Sequence, residues 1–306
     1  MGDAAYGRFL PERYRTPPVA EPRSTWWQWR GRRVHIARAP RPDAGVRLLV
    51  IHGAGGYSGA LWPIAGLAAR DGAEVLAPDL PLYGDTVEPR RGAVRYPDWL
   101  DLLCDLVTAE QATDDRPLAV LGASMGGLLG YEVAARTGTI AHVLATCLLD
   151  PADPDARRAA ARISATAPIA APVLRTVEPL VGDVRVPVRW LVDMGNMSRN
   201  RDLSRLCATD PKGGGVRVPL GFLASWLDFT HTAPESFRTT PVTLVHPAAD
   251  AWTPAGLSIR FLDRLAAPTR LVLLEQCGHY PIEEPGLSQL LATLRSVSEE
   301  LGGAPR

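Results

Sequence analysis

Lysine is nearly absent from this chain: among 306 residues there is one, Lys212, and arginine supplies the rest of the formal positive charge. The acidic and basic residues balance to a net charge of zero. Proteins that bind nucleic acid or an anionic membrane surface usually carry an excess or a patch of basic residues. The composition therefore argues against nucleic acid as a partner and favours a small or apolar molecule.

Cysteine is also sparse, and its four occurrences lack the paired spacings of zinc and redox motifs: Cys104, Cys147, Cys207 and Cys277. We expect buried free thiols, no metal site and no cofactor. No stretch approaches the roughly 20 apolar residues that a membrane span requires. Residues 1–24, rich in proline and arginine, lack the continuous apolar segment of a secretory signal. These absences favour a cytoplasmic location.

Short apolar runs recur along the chain, at residues 46–53, 73–80, 117–124, 141–150, 241–247 and 269–276. Their apolar residues are continuous rather than alternating, which is typical of strands covered on both faces. Helical patterns lie between most of them, at residues 60–70, 97–111, 126–136, 254–266 and 285–301. Alternating strands and helices predict an α/β fold with a mostly parallel sheet flanked by helices.

The spacing of these elements predicts three regions. Residues 1–24 form an irregular N-terminal arm, and residues 25–150 and 237–306 form the core domain, which begins with a hairpin. The interval 151–236 is far longer than the usual connection of about 2–6 residues in such sheets, so we predict an inserted helical cap. Its helical patterns cover residues 155–165, 187–195, 201–208 and 219–228.

A serine lies among glycines where an apolar run meets a helical pattern, in the sequence Gly122-Ala123-Ser124-Met125-Gly126. A sharp turn from strand to helix forces the serine into a strained backbone conformation, and the flanking glycines leave room for the chain to fold back. The hydroxyl of Ser124 then lies clear of the sheet. We interpret Ser124 as a nucleophile, and the alternative is a purely structural glycine turn.

A serine nucleophile needs a base that removes its proton and a carboxylate that orients the base. His279 follows the last strand pattern, so we expect it at the same edge of the sheet as Ser124. Asp250 follows the preceding strand and is the favoured carboxylate. Asp150 also ends a strand and is the competing candidate, although the sequence after it is typical of a turn and a helix start.

Acyl chemistry also needs hydrogen-bond donors for the developing oxyanion. The amide of Met125, at the start of the helix, is one candidate. The segment HGAGG, at residues 52–56, supplies a second in the amide of Ala54. The alternative for this segment is a phosphate-binding loop, but it lacks the GK[ST] ending of a P-loop and the GxGxxG order of a dinucleotide site.

These motifs, with the chain order Ser124, Asp250 and His279, resemble the α/β-hydrolase fold family of serine hydrolases over residues 25–300. HGAGG and SMGG are similar to the oxyanion and nucleophile motifs of its monoacylglycerol lipase and carboxylesterase branch. The resemblance implies an α/β-hydrolase fold in which the cap is inserted after the sixth strand.

The sequence departs from the family pattern at three positions. Leu82 and Thr86 stand where a loop of the family usually has glycine and serine, and Ala123 stands where the lipase branch commonly has histidine. These departures bear on substrate specificity and leave the three candidate catalytic residues in place.

The resulting hypothesis is that the protein hydrolyses a carboxylic ester of an apolar small molecule through an acyl-enzyme, without a cofactor. We predict that Trp226 in the cap and Trp252 beside Asp250 contact the substrate; alternatively, the apolar residues of the cap form its own core. An acyltransferase, a thioesterase or a lactone-forming or lactone-opening enzyme would use the same residues. A noncatalytic receptor for a small ligand would be expected to have lost one of them.

Overall fold

The computed structural model describes residues 3–160 and 176–303. The strands in this part of the chain are β1 (Arg23–Trp29), β2 (Arg32–Ala39), β3 (Arg47–Ile51), β4 (Glu74–Pro78), β5 (Leu118–Gly122), β6 (His142–Ala145), β7 (Arg185–Pro187), β8 (Arg217–Pro219), β9 (Val242–Pro247) and β10 (Thr269–Leu274). Eight of them form one central sheet in the order β1-β2-β4-β3-β5-β6-β9-β10. β7 and β8 form a separate antiparallel pair.

The central sheet is parallel except at one edge. β1 pairs with β2, and β2 with β4, in antiparallel register. The other neighbours are parallel, so that Leu49 of β3 lies between Leu76 of β4 and Val120 of β5. The carboxyl ends of the parallel strands therefore share one edge, where the loops that follow them can assemble a site.

The described residues include the α-helices α1 (Asp3–Gly7), α2 (Glu12–Arg15), α3 (Ser58–Arg70), α4 (Tyr96–Gln111), α5 (Met125–Thr137), α6 (described over Pro154–Ala160), α7 (Val188–Leu191), α8 (Arg201–Thr209), α9 (Leu220–Asp228), α10 (Ala255–Leu262) and α11 (Gly286–Gly302). α5 packs against β5 and β6, α3 against β4, and α11 against β10. Among the described residues, no helix combines the length and the apolarity needed to cross a membrane.

The apolar runs of the sequence form the buried centre of the sheet. β3, β5, β6 and β9 are buried along their whole length, which explains why their side chains do not alternate between apolar and polar. Each buried Val, Leu or Ile side chain contributes about 1.5–3 kcal/mol to folding. The predicted architecture of a mostly parallel sheet flanked by helices is confirmed. β10 differs from the expectation, because it is an edge strand and leaves Leu271 and Leu273 exposed.

The N-terminal arm (residues 1–24) is more regular than the sequence predicted. Its described part contains the short helices α1 and α2 where an irregular segment was expected. Helices this short are unstable alone and depend on tertiary packing. Here Tyr6 and Leu10 are buried in the hydrophobic core, and these contacts hold the arm on the molecule.

The insertion (residues 151–236) contributes no strand to the central sheet in its described part. Two of its predicted helices correspond to α8 and α9, and a third is described only from Pro154 to Ala160, because the remainder of residues 155–165 lies outside the described residues. The fourth helix was predicted over residues 187–195, and its end is wrong. α7 ends at Leu191, and a separate 3-10 turn follows. The pairing of β7 with β8 has no sequence signal, since each strand has three residues.

Candidate active site

Ser124 occupies a sharp turn between a buried strand and a helix. β5 ends at Gly122, α5 begins at Met125, and Ser124 has φ 55° and ψ −125°. A residue with a side chain rarely adopts a positive φ, and such backbone strain costs about 1–3 kcal/mol. The surrounding structure has to hold it: the amide of Ser124 donates to Oγ1 of Thr146 at 2.9 Å. The side chain is thereby directed into a cavity at the carboxyl edge of the sheet.

The glycines on either side of Ser124 are required by close backbone contacts. A Cβ on Gly126 would lie 2.2 Å from the carbonyl oxygen of Ile51, and one on Gly122 would lie 2.2 Å from the carbonyl oxygen of Gly126. Both distances are shorter than non-bonded atoms tolerate. The helix that follows Ser124 can therefore approach the sheet only with glycine at these positions.

His279 is oriented by Asp250. The ring atom Nδ1 of His279 lies 2.7 Å from Oδ2 of Asp250, and both side chains are buried. With the proton on Nδ1, that nitrogen donates to the carboxylate and Nε2 is left with its lone pair. Nε2 is buried and has no hydrogen-bond partner in the described part of the chain. The ring therefore presents an unpaired acceptor in the cavity that it shares with Ser124.

The carboxyl group of Asp250 is held in its charged form. Burial raises its pKa, but the hydrogen bond and the charge of His279 and the hydrogen bonds from Thr253 outweigh that effect, and the pKa falls to about 2. Thr253 donates to this group twice, from its amide at 2.9 Å and from its hydroxyl at 2.7 Å. A carboxylate in this state can stabilise a positive charge on the imidazole.

Asp150, the competing carboxylate, lies in a turn. Its Oδ1 accepts a hydrogen bond from the amide of Ala152 at 2.8 Å, which is the turn that the sequence after it indicated. It does not line the cavity that Ser124 and His279 share. Of the two aspartates weighed from the sequence, the geometry thus places Asp250 against the imidazole.

The two predicted oxyanion donors lie on neighbouring segments, Ala54 in the HGAGG loop and Met125 at the start of α5. A Cβ on Gly53 would come within 2.9 Å of the amide nitrogen of Met125 and 3.1 Å of Cβ of Ser124, so the HGAGG loop lies directly against the serine turn. Ala54 lines the cavity, whereas Met125 begins α5 behind it. Amides at a helix start and in a glycine-rich loop can both turn toward a developing negative charge.

His52 anchors the HGAGG loop. Its Nδ1 lies 2.8 Å from the carbonyl oxygen of Gly53, and its Nε2 accepts from the amide of Leu80 at 2.9 Å. This pattern needs a neutral ring protonated on Nδ1, and burial lowers the pKa of His52 accordingly. Beyond it, Gly55 has φ 78° and packs under Met194, where a Cβ would collide with the methionine methyl group.

The cavity at this edge has a volume of about 40 Å³. Its wall combines residues from the N-terminal arm, the core and the insertion, and most of them are apolar: Tyr6, His52, Gly53, Ala54, Gly55, Gly56, Ala60, Leu61, Ala123, Ser124, Met197, Cys207, Trp252, His279, Tyr280 and Pro281. A volume of this size holds a few water-sized groups. Among the reactive side chains, those of His279 and Asp250 are buried, whereas Ser124 is half-buried.

The two tryptophans predicted to contact substrate differ in position. Trp252 lines the cavity, and its ring lies 4.5 Å from that of His279, centroid to centroid. Its amide also donates to Oδ1 of Asp250 at 2.8 Å. Trp226 is buried in α9 as part of the hydrophobic core and does not line this cavity. The alternative weighed from the sequence, that apolar residues of the insertion form a core, describes Trp226 better.

Glu283 supports the site in a way that the sequence did not reveal. Glu283 lies in the loop before the last helix, because α11 begins at Gly286. Its carboxylate accepts from the amide of Gly278 at 2.6 Å, from the hydroxyl of Ser198 at 2.6 Å and from the amide of Arg199 at 2.7 Å. The loop that carries His279 is thus tied to the insertion.

One group of side chains has the composition of a metal site. His35, Asp79 and Asp85 bring their ligand atoms within 4.8 Å of one another. Asp79 already accepts hydrogen bonds from the amides of Ser58 and Asp85 and lies 2.8 Å from Nδ1 of His35. Burial raises the pKa of Asp79, but these hydrogen bonds prevail and lower it. The cluster orders the loop after β4.

Comparison with known proteins identifies the fold. The model of the Alpha/beta hydrolase family matches residues 48–287. No curated protein matches the chain significantly in sequence. Among solved structures, a soluble variant of monoglyceride lipase from Saccharomyces cerevisiae aligns with a TM-score of 0.73 at 15% identity, over 92% of this chain and 96% of that one.

Two further solved structures show the same architecture. The monoacylglycerol lipase of Paleococcus ferrophilus has a TM-score of 0.67 at 20% identity and covers 88% of this chain and 98% of its own. A thermophilic esterase from Thermogutta terrifontis has a TM-score of 0.62 at 16% identity, over 92% and 100%. At these identities the likeness concerns the fold, and it agrees with the resemblance inferred from the motifs.

Proposed function

Because this chain belongs to the alpha/beta hydrolase family, and is a hydrolase with the corresponding fold, we propose that it cleaves a carboxylic ester through an acyl-enzyme intermediate formed on Ser124. The observation that carries the proposal is one cavity lined by both Ser124 and His279, in which Nδ1 of His279 is bonded to Asp250 and Nε2 is unpaired. A hydroxyl, an unpaired imidazole nitrogen and a buried carboxylate are the parts that this chemistry requires.

In the first half of the reaction, Oγ of Ser124 attacks the ester carbonyl carbon while Nε2 of His279 takes the hydroxyl proton. Collapse of the tetrahedral intermediate expels the alcohol, which receives that proton. In the second half, His279 removes a proton from water, and the resulting hydroxide attacks the carbonyl carbon of the acyl-enzyme. Collapse of this second tetrahedral intermediate breaks the bond to Oγ and releases the acid, while His279 returns the proton to Oγ of Ser124. No hydrogen bond joins Oγ and Nε2 in the described residues, and such contacts commonly tighten only when substrate is bound.

Asp250 and the adjacent loops supply the electrostatics. The Asp250 carboxylate stabilises the imidazolium that forms during each proton transfer. The amides of Ala54 and Met125 would bind the oxyanion. One lost oxyanion donor typically costs about 10²–10³ in turnover, so each of these two amides is expected to contribute a factor of that size.

The wall of the cavity supports an apolar ester as the substrate. Leu61, Met197 and Trp252 line it, and a pocket of this kind binds mainly by excluding water, with few polar anchors. The monoglyceride lipases and the esterase that share the fold are enzymes of ester hydrolysis by name. This agreement supports an ester and does not identify its acid or alcohol.

Covalent labelling tests the proposal. A fluorophosphonate should attach to Ser124 in the wild-type protein and leave Ser124→Ala unlabelled. His279→Ala should fold and label slowly, because the serine has lost its base. A panel of p-nitrophenyl esters should then release free acid at a rate that the Ser124→Ala variant lacks. Equal labelling of wild type and Ser124→Ala would overturn the proposal.

A further inference from the structure

We propose that the N-terminal arm forms part of the substrate site, and that the ring of Tyr6 is a wall of the catalytic cavity that restricts the site to esters with short chains. This inference rests on the proposed function of Ser124. It assigns to residues before the first strand of the core a role in selecting the substrate.

Tyr6 reaches the cavity from outside the central sheet. It lies in α1, which packs against α3, and its side chain is fully buried. It lines the same cavity as Ser124 and His279. A buried aromatic ring at that position occupies volume that a longer acyl or alkoxy chain would need.

Two other tyrosines hold the ring in place. The ring of Tyr6 stacks on that of Tyr280, at a centroid distance of 6.2 Å and an interplanar angle of 28°. It meets Tyr57 edge to face at 6.3 Å and 78°. Tyr280 directly follows His279, and its amide donates to the carbonyl oxygen of Met197 at 2.6 Å. Contact on two sides fixes the position of the Tyr6 ring relative to the imidazole.

The hydroxyl of Tyr6 joins three parts of the protein. Tyr6 in the arm and Tyr57 in the core each donate to Oδ2 of Asp210, in the insertion, at 2.9 Å. The other oxygen of Asp210 accepts from the amide of Lys212 at 2.9 Å. Asp210 is buried, and a buried carboxylate needs such partners. Burial is the main cause that raises the pKa of Tyr6, and the charges of Cys207 and Asp210 raise it further. The hydroxyl therefore keeps its proton and remains a hydrogen-bond donor.

The small volume of the cavity is the reason why the Tyr6 ring would limit the length of the substrate chain. The volume is about 40 Å³, whereas pockets for drug-sized ligands have about 300–1,000 Å³. Room for a few water-sized groups fits a short chain beside Ser124 and excludes a long one. Because the ring of Tyr6 is one of the largest groups in the wall, its removal should admit the longer chain.

The experiment uses two fluorophosphonates that differ only in their alkyl group, ethyl and decyl, and measures the labelling rate constant of Ser124 with each. In wild type we expect the ethyl reagent to react faster. In Tyr6→Ala the ratio of the decyl to the ethyl rate constant should rise about tenfold, which corresponds to about 1.4 kcal/mol. Tyr6→Phe keeps the ring and loses only the hydroxyl, so its ratio should stay near that of wild type.

Tyr14→Ala is the matched control, because Tyr14 lies in the same arm but bonds to Ser288 and does not line the cavity; its ratio should equal that of wild type. If Tyr6→Ala does not fold, Tyr6→Leu fills part of the buried space, and its ratio should rise in the same direction. A ratio unchanged in Tyr6→Ala or Tyr6→Leu, with Ser124 still labelled, overturns the inference alone. Failure of both reagents to label Ser124 in wild type overturns the proposed function and this inference with it.

Discussion

Asp250 and His279 are joined by a hydrogen bond of 2.7 Å between Oδ2 and Nδ1, and the hydroxyl of Thr253 donates to the same oxygen at 2.7 Å. The hydroxyl oxygen of Thr253 also lies 3.2 Å from Nδ1 of His279. The residues that orient Asp250 are therefore its near neighbours in sequence, whereas the imidazole comes from a different loop. This arrangement fixes one tautomer of His279, the one whose Nε2 can accept a proton from Ser124.

Replacing Asp250 by asparagine should remove most of the activity without removing the fold. The amide group of asparagine has the shape of the carboxyl group, but it cannot stabilise the imidazolium, and its NH₂ end favours the other tautomer of His279. We expect turnover to fall by about 10³–10⁴, measured as kcat on the best ester found.

Asp150→Asn is the control for that variant. Asp150 also follows a strand, and from the sequence alone it is the competing candidate for the carboxylate that orients His279. It accepts a hydrogen bond from Ala152 in a turn and does not line the cavity of Ser124 and His279, so the kcat of Asp150→Asn should stay near that of wild type. A large loss in Asp150→Asn with full activity in Asp250→Asn would contradict the assignment.

Ser124 and His279 should behave as one catalytic unit. Ser124→Ala and His279→Ala are each expected to lower turnover by several orders of magnitude, and the double variant by little more than either, because a base without a nucleophile has nothing to activate. The measurement is kcat for the three variants under the same conditions. Losses that multiply in the double variant would show that the two side chains act separately.

The sequence predicted the central sheet and the serine turn because both signals are local. A continuous apolar run identifies a strand buried on both faces, and glycines two residues from Ser124 identify a turn in which the helix approaches the sheet. Placing His279 and Asp250 needed only the rule that loops after parallel strands meet at one edge.

The features that the sequence did not reveal depend on contacts between distant residues. Tyr6 and Asp210 are bonded across most of the chain, and nothing in the short segment around either residue points to the other. Glu283 lies just before the last helical pattern of the sequence, where an acidic residue is typical of a helix start, but its partners in the structure are Gly278 and the Ser198–Arg199 segment of the insertion. The partners of Tyr6 and of Glu283 are both determined by tertiary packing.

Glu283 is expected to act as a positioning residue for His279. Glu283→Gln keeps the size of the side chain but replaces one acceptor oxygen by an NH₂ group, so at least one of the amide contacts is lost. A hydrogen bond to a charged group contributes about 1.5–3 kcal/mol, and the loop of His279 should become looser. We expect kcat to fall about tenfold and KM to change less, both measured well below the melting temperature of the variant.

The neighbouring Glu284→Gln is the control. Glu284 bonds to Arg13 at the surface and to Ser288. Exposed ion pairs contribute little to stability, and neither partner belongs to the loop that carries His279. Its kcat should match that of wild type. Equal losses in the two variants would mean that the charge in this region, rather than the support of His279, determines the rate.

His231 should make the stability of the protein depend on pH. Its side chain is buried, with Nε2 2.9 Å from the hydroxyl of Tyr96, and Nδ1 has no hydrogen-bond partner in the described residues. Burial, only partly offset by Glu132 and Asp150, lowers the pKa of His231 to about 4. The unfolded chain, in which histidine has a pKa of about 6.5, binds this proton more readily.

Because the pKa of His231 is lower in the folded protein than in the unfolded chain, acid destabilises the folded state. The contribution of His231 to stability is fully present above about pH 6.5, falls progressively as the pH drops from about 6.5 to about 4, and is lost below that, because the unfolded state takes up the proton first. The total loss is about 3 kcal/mol. His231→Asn should therefore have a smaller decrease in the free energy of unfolding between pH 7 and pH 4 than wild type, measured by urea titration at each pH. Tyr96→Phe, which removes the hydrogen-bond partner but keeps the titrating ring, should retain the wild-type slope; if His231→Asn and wild type give parallel curves, the imidazole does not titrate differently in the two states.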